Sequence, residues 1–126
     1  MPLTTSVLHD DGLALLALAG ELDLAVVSRV DEAVAQVLAD GLQLLVVDLG
    51  HLTFCDSSGL GALVRCQRAV RDAGGTVLFA GVTGPVAVLL RLTSMQVVLE
   101  LRPDVSAALA ELRHLAGAAN GGAQIE

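Results

Sequence analysis

The chain has 126 residues, a formal net charge of -7 and 54% hydrophobic residues, which fits one domain with a substantial core. An acidic protein repels phosphate backbones, and a chain without Trp or Tyr offers few platforms on which bases can stack. We therefore expect no nucleic-acid partner.

Apolar runs in the sequence are much shorter than the roughly 20 residues that span a bilayer. The first residues contain no basic region followed by an apolar one, so no signal peptide is predicted. We expect a cytoplasmic protein without direct membrane insertion.

The cysteines and histidines lack the spacing of a disulfide or a metal site. If a helix begins at Ser57, Cys66 lies about 14 Å along it, whereas disulfide-bonded residues have Cα atoms within about 7 Å of each other. Cys55 and Cys66 are therefore predicted to be buried thiols. The histidines are far apart in the sequence, and we expect neither a metal nor a cofactor.

The first half of the sequence predicts a hairpin, a helix and a buried strand. Apolar residues spaced by three and four indicate the helix, with Asp23 as its N-terminal cap and Gly41 at its end. The predicted elements are strands at residues 4–9, 13–19 and 44–49 and a helix at residues 25–40, with a polar corner at residues 20–23.

The second half predicts a further alternation of helices and strands. A helix begins at Ser57 and ends before Gly74, and Pro85 occupies the first turn of the next helix. The predicted elements are helices at residues 57–73, 86–92 and 103–116 and strands at residues 76–80 and 96–99, followed by a disordered tail at residues 117–126.

The predicted order of elements is ββαβαβαβα. Strands that alternate with helices after an opening hairpin indicate an α/β domain with a mixed, mostly parallel sheet and right-handed crossovers. We expect four to five strands and about four helices in a single domain over residues 4–116.

The stretch between the third strand and the second helix carries the residues of chemical interest, Asp56-Ser57-Ser58-Gly59. Such a segment is also an ordinary helix start, in which a side-chain oxygen caps free backbone N–H groups. A serine nucleophile needs a base and an oxyanion hole, and a phosphate-binding loop needs a lysine that this chain lacks. A nucleophilic Cys55 needs nearby positive charge, but its neighbour is Asp56.

A phosphorylation switch is a further interpretation of this stretch, beside the ordinary helix start. The free N–H groups and the positive dipole end of a helix N-terminus stabilise a phosphate there. That phosphate adds about -1.5 to -2 charge. Because Glu21 and Asp23 are expected at the same end of the sheet as Asp56, the modification changes this surface without unfolding the domain.

Two motifs, Gly20-Glu21-Leu22-Asp23 and Phe54-Cys55-Asp56-Ser57-Ser58-Gly59-Leu60-Gly61, resemble the STAS domain of bacterial anti-sigma-factor antagonists in sequence and in spacing. The order of elements also fits this family. The resemblance covers about residues 4–116. It departs from the family at Cys55, where a larger apolar residue is expected, and at Ser94, where a glycine is common.

The resemblance implies an interaction switch that works by partner switching, and not an enzyme. An unphosphorylated antagonist binds an anti-sigma factor with serine kinase activity, which then phosphorylates Ser57 and is released; a PP2C-type phosphatase resets the switch. Ser58 is an alternative site. The implied partner face consists of Glu21, Asp23, Asp56, Ser57, Ser58, Gly59, Leu60 and Gly61.

A second interpretation of the same resemblance is a STAS interaction subunit that is not phosphorylated, in a transport complex or another regulatory complex. A copurifying ATPase or permease favours this second function, whereas a genomic neighbour that encodes a kinase-like anti-sigma factor favours the first. Which sigma factor is served, whether nucleotide binds and the oligomeric state stay open.

Overall fold

The computed structural model describes residues 2–125, with side chains up to residue 117. Five strands form one sheet in the order β1-β2-β3-β4-β5; β1 and β2 are antiparallel, and the other neighbouring pairs are parallel. The elements are β1 Thr4–Asp10, β2 Leu13–Leu22, α1 Val27–Ala39, β3 Leu44–Cys55, α2 Ser57–Asp72, β4 Thr76–Ala80, α3 Gly84–Leu92, one 3₁₀ turn Met95–Val97, β5 Leu101–Arg102 and α4 Val105–Ile125. The predicted fold class and element order are confirmed.

The sheet is covered on both faces, which explains why the middle strands are almost continuously apolar. On one face, α1, α2 and α3 bury the larger aliphatic core together with Phe79. On the other face, α4 covers the end of the sheet near Leu13, Val46 and Leu78 with Ala108 and Leu112. A bidentate ion pair between Arg102 and Glu111 ties β5 to α4, with nitrogen–oxygen distances of 2.6 and 2.9 Å.

The helix ends follow the predicted glycine signals. Gly41 has a φ of 81°, and the chain reverses there through a hydrogen bond from the backbone N–H of Leu42 to the carbonyl of Val37. Gly74 adopts the same left-handed conformation after α2. Asp23, in contrast, does not cap α1: its carboxylate accepts from the backbone N–H of Ala25 in the preceding turn, and Val26 is the cap residue without a side-chain bond.

Two predicted boundaries in the first half are wrong. Residues 20–22 of the predicted polar corner and the predicted turn after residue 49 are strands, since β2 continues to Leu22 and β3 to Cys55. The two extensions hydrogen-bond to each other with register shifts between Ala17 and Ala19 and between Gly20 and Glu21. Hydrogen bonding between β2 and β3 thus outweighs the preference of Gly20 and Gly50 for turns.

The last predicted strand, at residues 96–99, is also misplaced. Those residues lie in the 3₁₀ turn and the segment after it, and the strand is Leu101–Arg102. The side chain of Gln67 on α2 donates to the carbonyl of Val98 at 2.7 Å and accepts from the backbone N–H of Glu100 at 3.1 Å. These long-range hydrogen bonds hold the segment that precedes β5 against α2.

The sequence predicts the final helix over residues 103–116, whereas the structure continues α4 to Ile125. Alanine supports a helix there and each glycine opposes it by about 1 kcal/mol, so the glycines at residues 117, 121 and 122 made the extension hard to predict. Side chains after residue 117 lie outside the described residues, and the predicted domain limit at residue 116 stays a prediction.

Candidate functional site

The extended ends of β2 and β3 fix the position of the helix start that follows them. Leu22 and Cys55 are the last paired residues of the two strands. The carbonyl of Leu22 then accepts from the backbone N–H of Asp56 at 3.3 Å. The first turn of α2 is thereby anchored to β2 as well as to β3.

Asp56 caps α2. Its backbone is extended, with φ -103° and ψ -174°, and its Oδ1 accepts from the backbone N–H of Gly59 at 2.9 Å. Ser57 is the first residue of α2 and is exposed, while Ser58 is half-buried. The cap is thus supplied by Asp56, which leaves the Ser57 hydroxyl at a solvent-facing helix N-terminus.

The acidic residues predicted to lie near Ser57 come from the end of β2. Glu21 lies opposite Phe54 of β3, and Asp23 follows in the turn, so both are at the strand end that Asp56 contacts. The structure therefore brings the acidic corner and the serines to the same end of the sheet. Exposed apolar side chains accompany them: Leu24 is 72% exposed and Phe54 is 45% exposed.

Leu24 and Phe54 were not predicted as site residues. The sequence could have indicated Phe54 as a site residue, because it is one of only two aromatic residues and adjoins the serine motif. Exposed large apolar side chains beside polar ones are typical of interaction surfaces.

The remaining residues of the predicted partner face lie at different depths. Gly59 is buried, Leu60 is 7% exposed and belongs to the main core, and Gly61 is half-buried. Gly59 lies against β2, since a Cβ atom there would be 2.8 Å from the carbonyl oxygen of Leu22. Gly59 and Leu60 thus hold the first turn of α2 against the sheet, beneath the exposed serine.

His51 is exposed and lies on β3 opposite Ala19. It lines an open groove between β3 and the start of α3 with Thr53 and Thr83, and Ser57 is not among the residues that line this groove. The described residues contain no group of His, Cys, Asp and Glu side chains that could hold a metal ion. In the same part of the chain, none of the helices combines the length and the apolar character needed to cross a bilayer.

Both cysteines are buried free thiols, as predicted. Burial, together with the charge of Asp56, raises the pKa of Cys55 to about 12. Burial, with a smaller effect of Asp31, raises the pKa of Cys66 to about 12. Because the thiolate is the nucleophilic form, neither environment activates a cysteine for catalysis.

We expect both cysteines to react slowly with a disulfide reagent at pH 8 in the folded protein and rapidly in urea. The ordinary thiol pKa is 9.0. Since folding raises it, the unfolded chain loses these protons first as the pH rises from 9 towards 12, and stability falls over that range. The rate of the reaction at pH 8 is measured from the absorbance of the thiol that the disulfide reagent releases. A fast phase in the folded protein would show that a reactive thiolate exists.

The chain is similar to known proteins over nearly its whole length. The STAS domain profile matches residues 4–108. The anti-sigma-F factor antagonist RsfB of Mycobacterium tuberculosis is 38% identical over 68 residues, which are 54% of this chain and 56% of that protein. An anti-sigma F factor antagonist of Paenibacillus polymyxa is 29% identical over 116 residues, which are 89% of this chain and 97% of that protein.

A solved structure supports the same grouping. The crystal structure of an anti-sigma factor antagonist from Mycobacterium paratuberculosis has a TM-score of 0.79 at 26% identity, and the alignment covers 89% of this chain and 95% of that one. With RsfB the alignment is shorter and spans little more than half of that relative.

Proposed function

Because the chain belongs to the STAS domain family, a family of regulatory binding domains, we propose that it is an anti-sigma-factor antagonist controlled by phosphorylation of Ser57. The observation that carries this proposal is the exposed Ser57 hydroxyl at the first residue of α2, directly after the Asp56 cap. The names of the similar proteins support the antagonist role.

The proposed partner is an anti-sigma factor with serine kinase activity, bound by the unphosphorylated form in the cytoplasm. In the transfer step the Ser57 oxygen bonds to the γ-phosphorus of ATP, the bond from that phosphorus to ADP breaks, and the hydroxyl proton is released. The chain supplies the accepting hydroxyl and no catalytic group. Ser58 is the alternative acceptor, and a PP2C-type phosphatase removes the phosphate.

Charge explains why the modified form leaves its partner. Asp56, Glu21 and Asp23 already make this end of the sheet acidic. A phosphate adds about -1.5 to -2 charge beside Asp56, and its hydration must be removed if the partner is to stay in contact. The helix N-terminus stabilises the phosphate within the domain. The same modification is therefore tolerated by the fold and unfavourable at the interface.

We expect Ser57→Ala to bind the kinase but to accept no phosphate at that position, and Ser57→Asp to bind roughly 100-fold more weakly because the added carboxylate must lose its hydration at the interface. Affinity is measured by calorimetry, and phosphate is located by mass spectrometry after incubation with the kinase and ATP. Ser106→Asp is a matched control, since Ser106 is an exposed serine in the first turn of α4, whose Asp104 accepts from a backbone N–H.

Phosphate on neither Ser57 nor Ser58 would contradict the switch. Copurification with an ATPase or permease in place of a kinase would then indicate the second function, an interaction subunit without phosphorylation. Equal weakening by Ser106→Asp would show that total charge, and not the position of Ser57, controls binding.

A further inference from the structure

An ion pair joins the two helices next to the proposed phosphorylation site. Arg65 of α2 donates from Nε and Nη2 to the two carboxylate oxygens of Asp31 on α1, at 3.2 and 3.1 Å. The two side chains are 49% and 44% exposed. Because two solvent-exposed charges attract each other only weakly, Arg65 can exchange this partner for another anion at little cost.

The third guanidinium nitrogen of Arg65 lies over Gly61. A Cβ atom on Gly61 would be 3.3 Å from Nη1 of Arg65. This position agrees with the tilt of helical side chains towards the helix N-terminus. Since Gly61 has no side chain, nothing from that residue separates the guanidinium from the turn that precedes it.

That preceding turn begins at Ser57. Residues four apart on a helix have Cβ atoms about 5–6 Å from each other, so Ser57 lies one such step beyond the position that Nη1 already reaches at Gly61. The phosphate ester on the Ser57 oxygen and a rotation of the Arg65 side chain together have to span the remaining separation.

We propose that Arg65 is the counter-charge for a phosphate on Ser57, reached across Gly61 and drawn away from Asp31. This inference rests on the proposed function, because it concerns the modified form. A guanidinium forms shorter and stronger hydrogen bonds with a dianionic phosphate than neutral donors do.

The exchange changes the surface of α1 as well as that of α2. Once Arg65 binds the phosphate, Asp31 loses its bidentate partner and becomes an uncompensated carboxylate on α1. One modification therefore alters charge on two helices that lie side by side. The surface charges of the phosphorylated and unphosphorylated forms then differ by more than the phosphate alone would cause.

The other arginines of α2 do not have this geometry. Arg68 is exposed one turn further from Ser57, and Arg71 pairs with Glu100 at 3.3 Å near the far end of the helix. Arg68 is therefore a matched control for Arg65, with the same side chain on the same helix.

The test uses full-length chain with phosphoserine installed at position 57 during translation, so that it needs no kinase. The second pKa of the phosphate is measured by ³¹P NMR. We expect Arg65→Met to raise this pKa by about 0.5 unit, the size of an exposed ion pair, and Arg68→Met to leave it unchanged. Asp56 raises the pKa equally in all variants, and Asp31→Asn should lower it by freeing Arg65.

Arg65→Lys should restore most of the shift, which a loss of helix packing would not. A leucine at position 61 (Gly61→Leu) should raise the pKa as Arg65→Met does, because it fills the path between the two groups. Equal phosphate pKa values in the parent protein and Arg65→Met would overturn the inference. The proposed function would survive that result, and it would fail separately if the kinase modified neither serine.

Discussion

Replacing Gly59 with alanine is expected to lower the free energy of unfolding by about 2 kcal/mol, because the added methyl group has no room. A Cβ atom there would lie 2.7 Å from the Cys55 sulfur, 2.8 Å from the Leu22 carbonyl oxygen and 2.9 Å from the Leu22 Cγ. The Leu22 carbonyl oxygen is a backbone atom, so it can move away only if β2 and α2 separate. The gain of about 1 kcal/mol in helix propensity does not offset this strain.

Gly61→Ala is the matched control for Gly59→Ala, two residues along the same helix. Its new Cβ meets only the mobile end of Arg65, at 3.3 Å, so we expect stability to be unchanged or to rise by up to about 1 kcal/mol. Urea titration followed by circular dichroism measures both variants. Equal stability of the two variants would mean that α2 does not approach β2 as closely as the structure shows.

Gln67→Met is expected to lower the free energy of unfolding by about 2 kcal/mol. Gln67 is 4% exposed and satisfies both the carbonyl of Val98 and the backbone N–H of Glu100. Methionine preserves the size of the side chain but leaves these two backbone groups without their partner, at a cost of about 1–3 kcal/mol for a group that stays buried. Water that reaches either backbone group replaces part of the lost hydrogen bonding and so lowers the total cost.

The control for Gln67 is Gln36→Met on α1, where an exposed glutamine bonds only to the side chain of Asp40. We expect a change within about 0.5 kcal/mol. Hydrogen exchange adds a local measurement, since the amide of Glu100 should lose protection in Gln67→Met. If that amide kept its protection, the placement of the segment before β5 would not depend on Gln67.

Local sequence patterns were sufficient where one signal dominated. The strand at residues 76–80 was predicted with its observed limits because an apolar run lies between a double glycine and Gly81. The start of α2 was predicted at Ser57 because Asp56 is a strong cap. Both features depend on neighbours within a few residues.

Local patterns failed where distant contacts decide the structure. Gly50, His51 and Thr53 resemble a turn, yet they belong to β3 because β2 offers paired backbone groups along the whole length. Val97 and Val98 have high strand propensity, but the segment joins the sheet only after the contacts of Gln67. Within the site, the ion pair of Arg65 with Asp31 spans 34 residues and leaves no local signal.

The unequal strand lengths separate two regions of the molecule. β4 pairs with β3 only as far as Asp48, and β3 then runs to Cys55 with β2 as its partner, a distance of about 23 Å at 3.3 Å per residue. β1 ends at Thr4 opposite Ala19, so only the last residues of β2 and β3 form a two-stranded part of the sheet, and Leu22 and Leu52 are still buried there. Ser57 follows directly on this end of the sheet, whereas Arg113 of α4 pairs with Asp10 near the opposite end. A fluorophore or surface tether attached near Arg113 would therefore leave the Ser57 end of the sheet open to a docking protein.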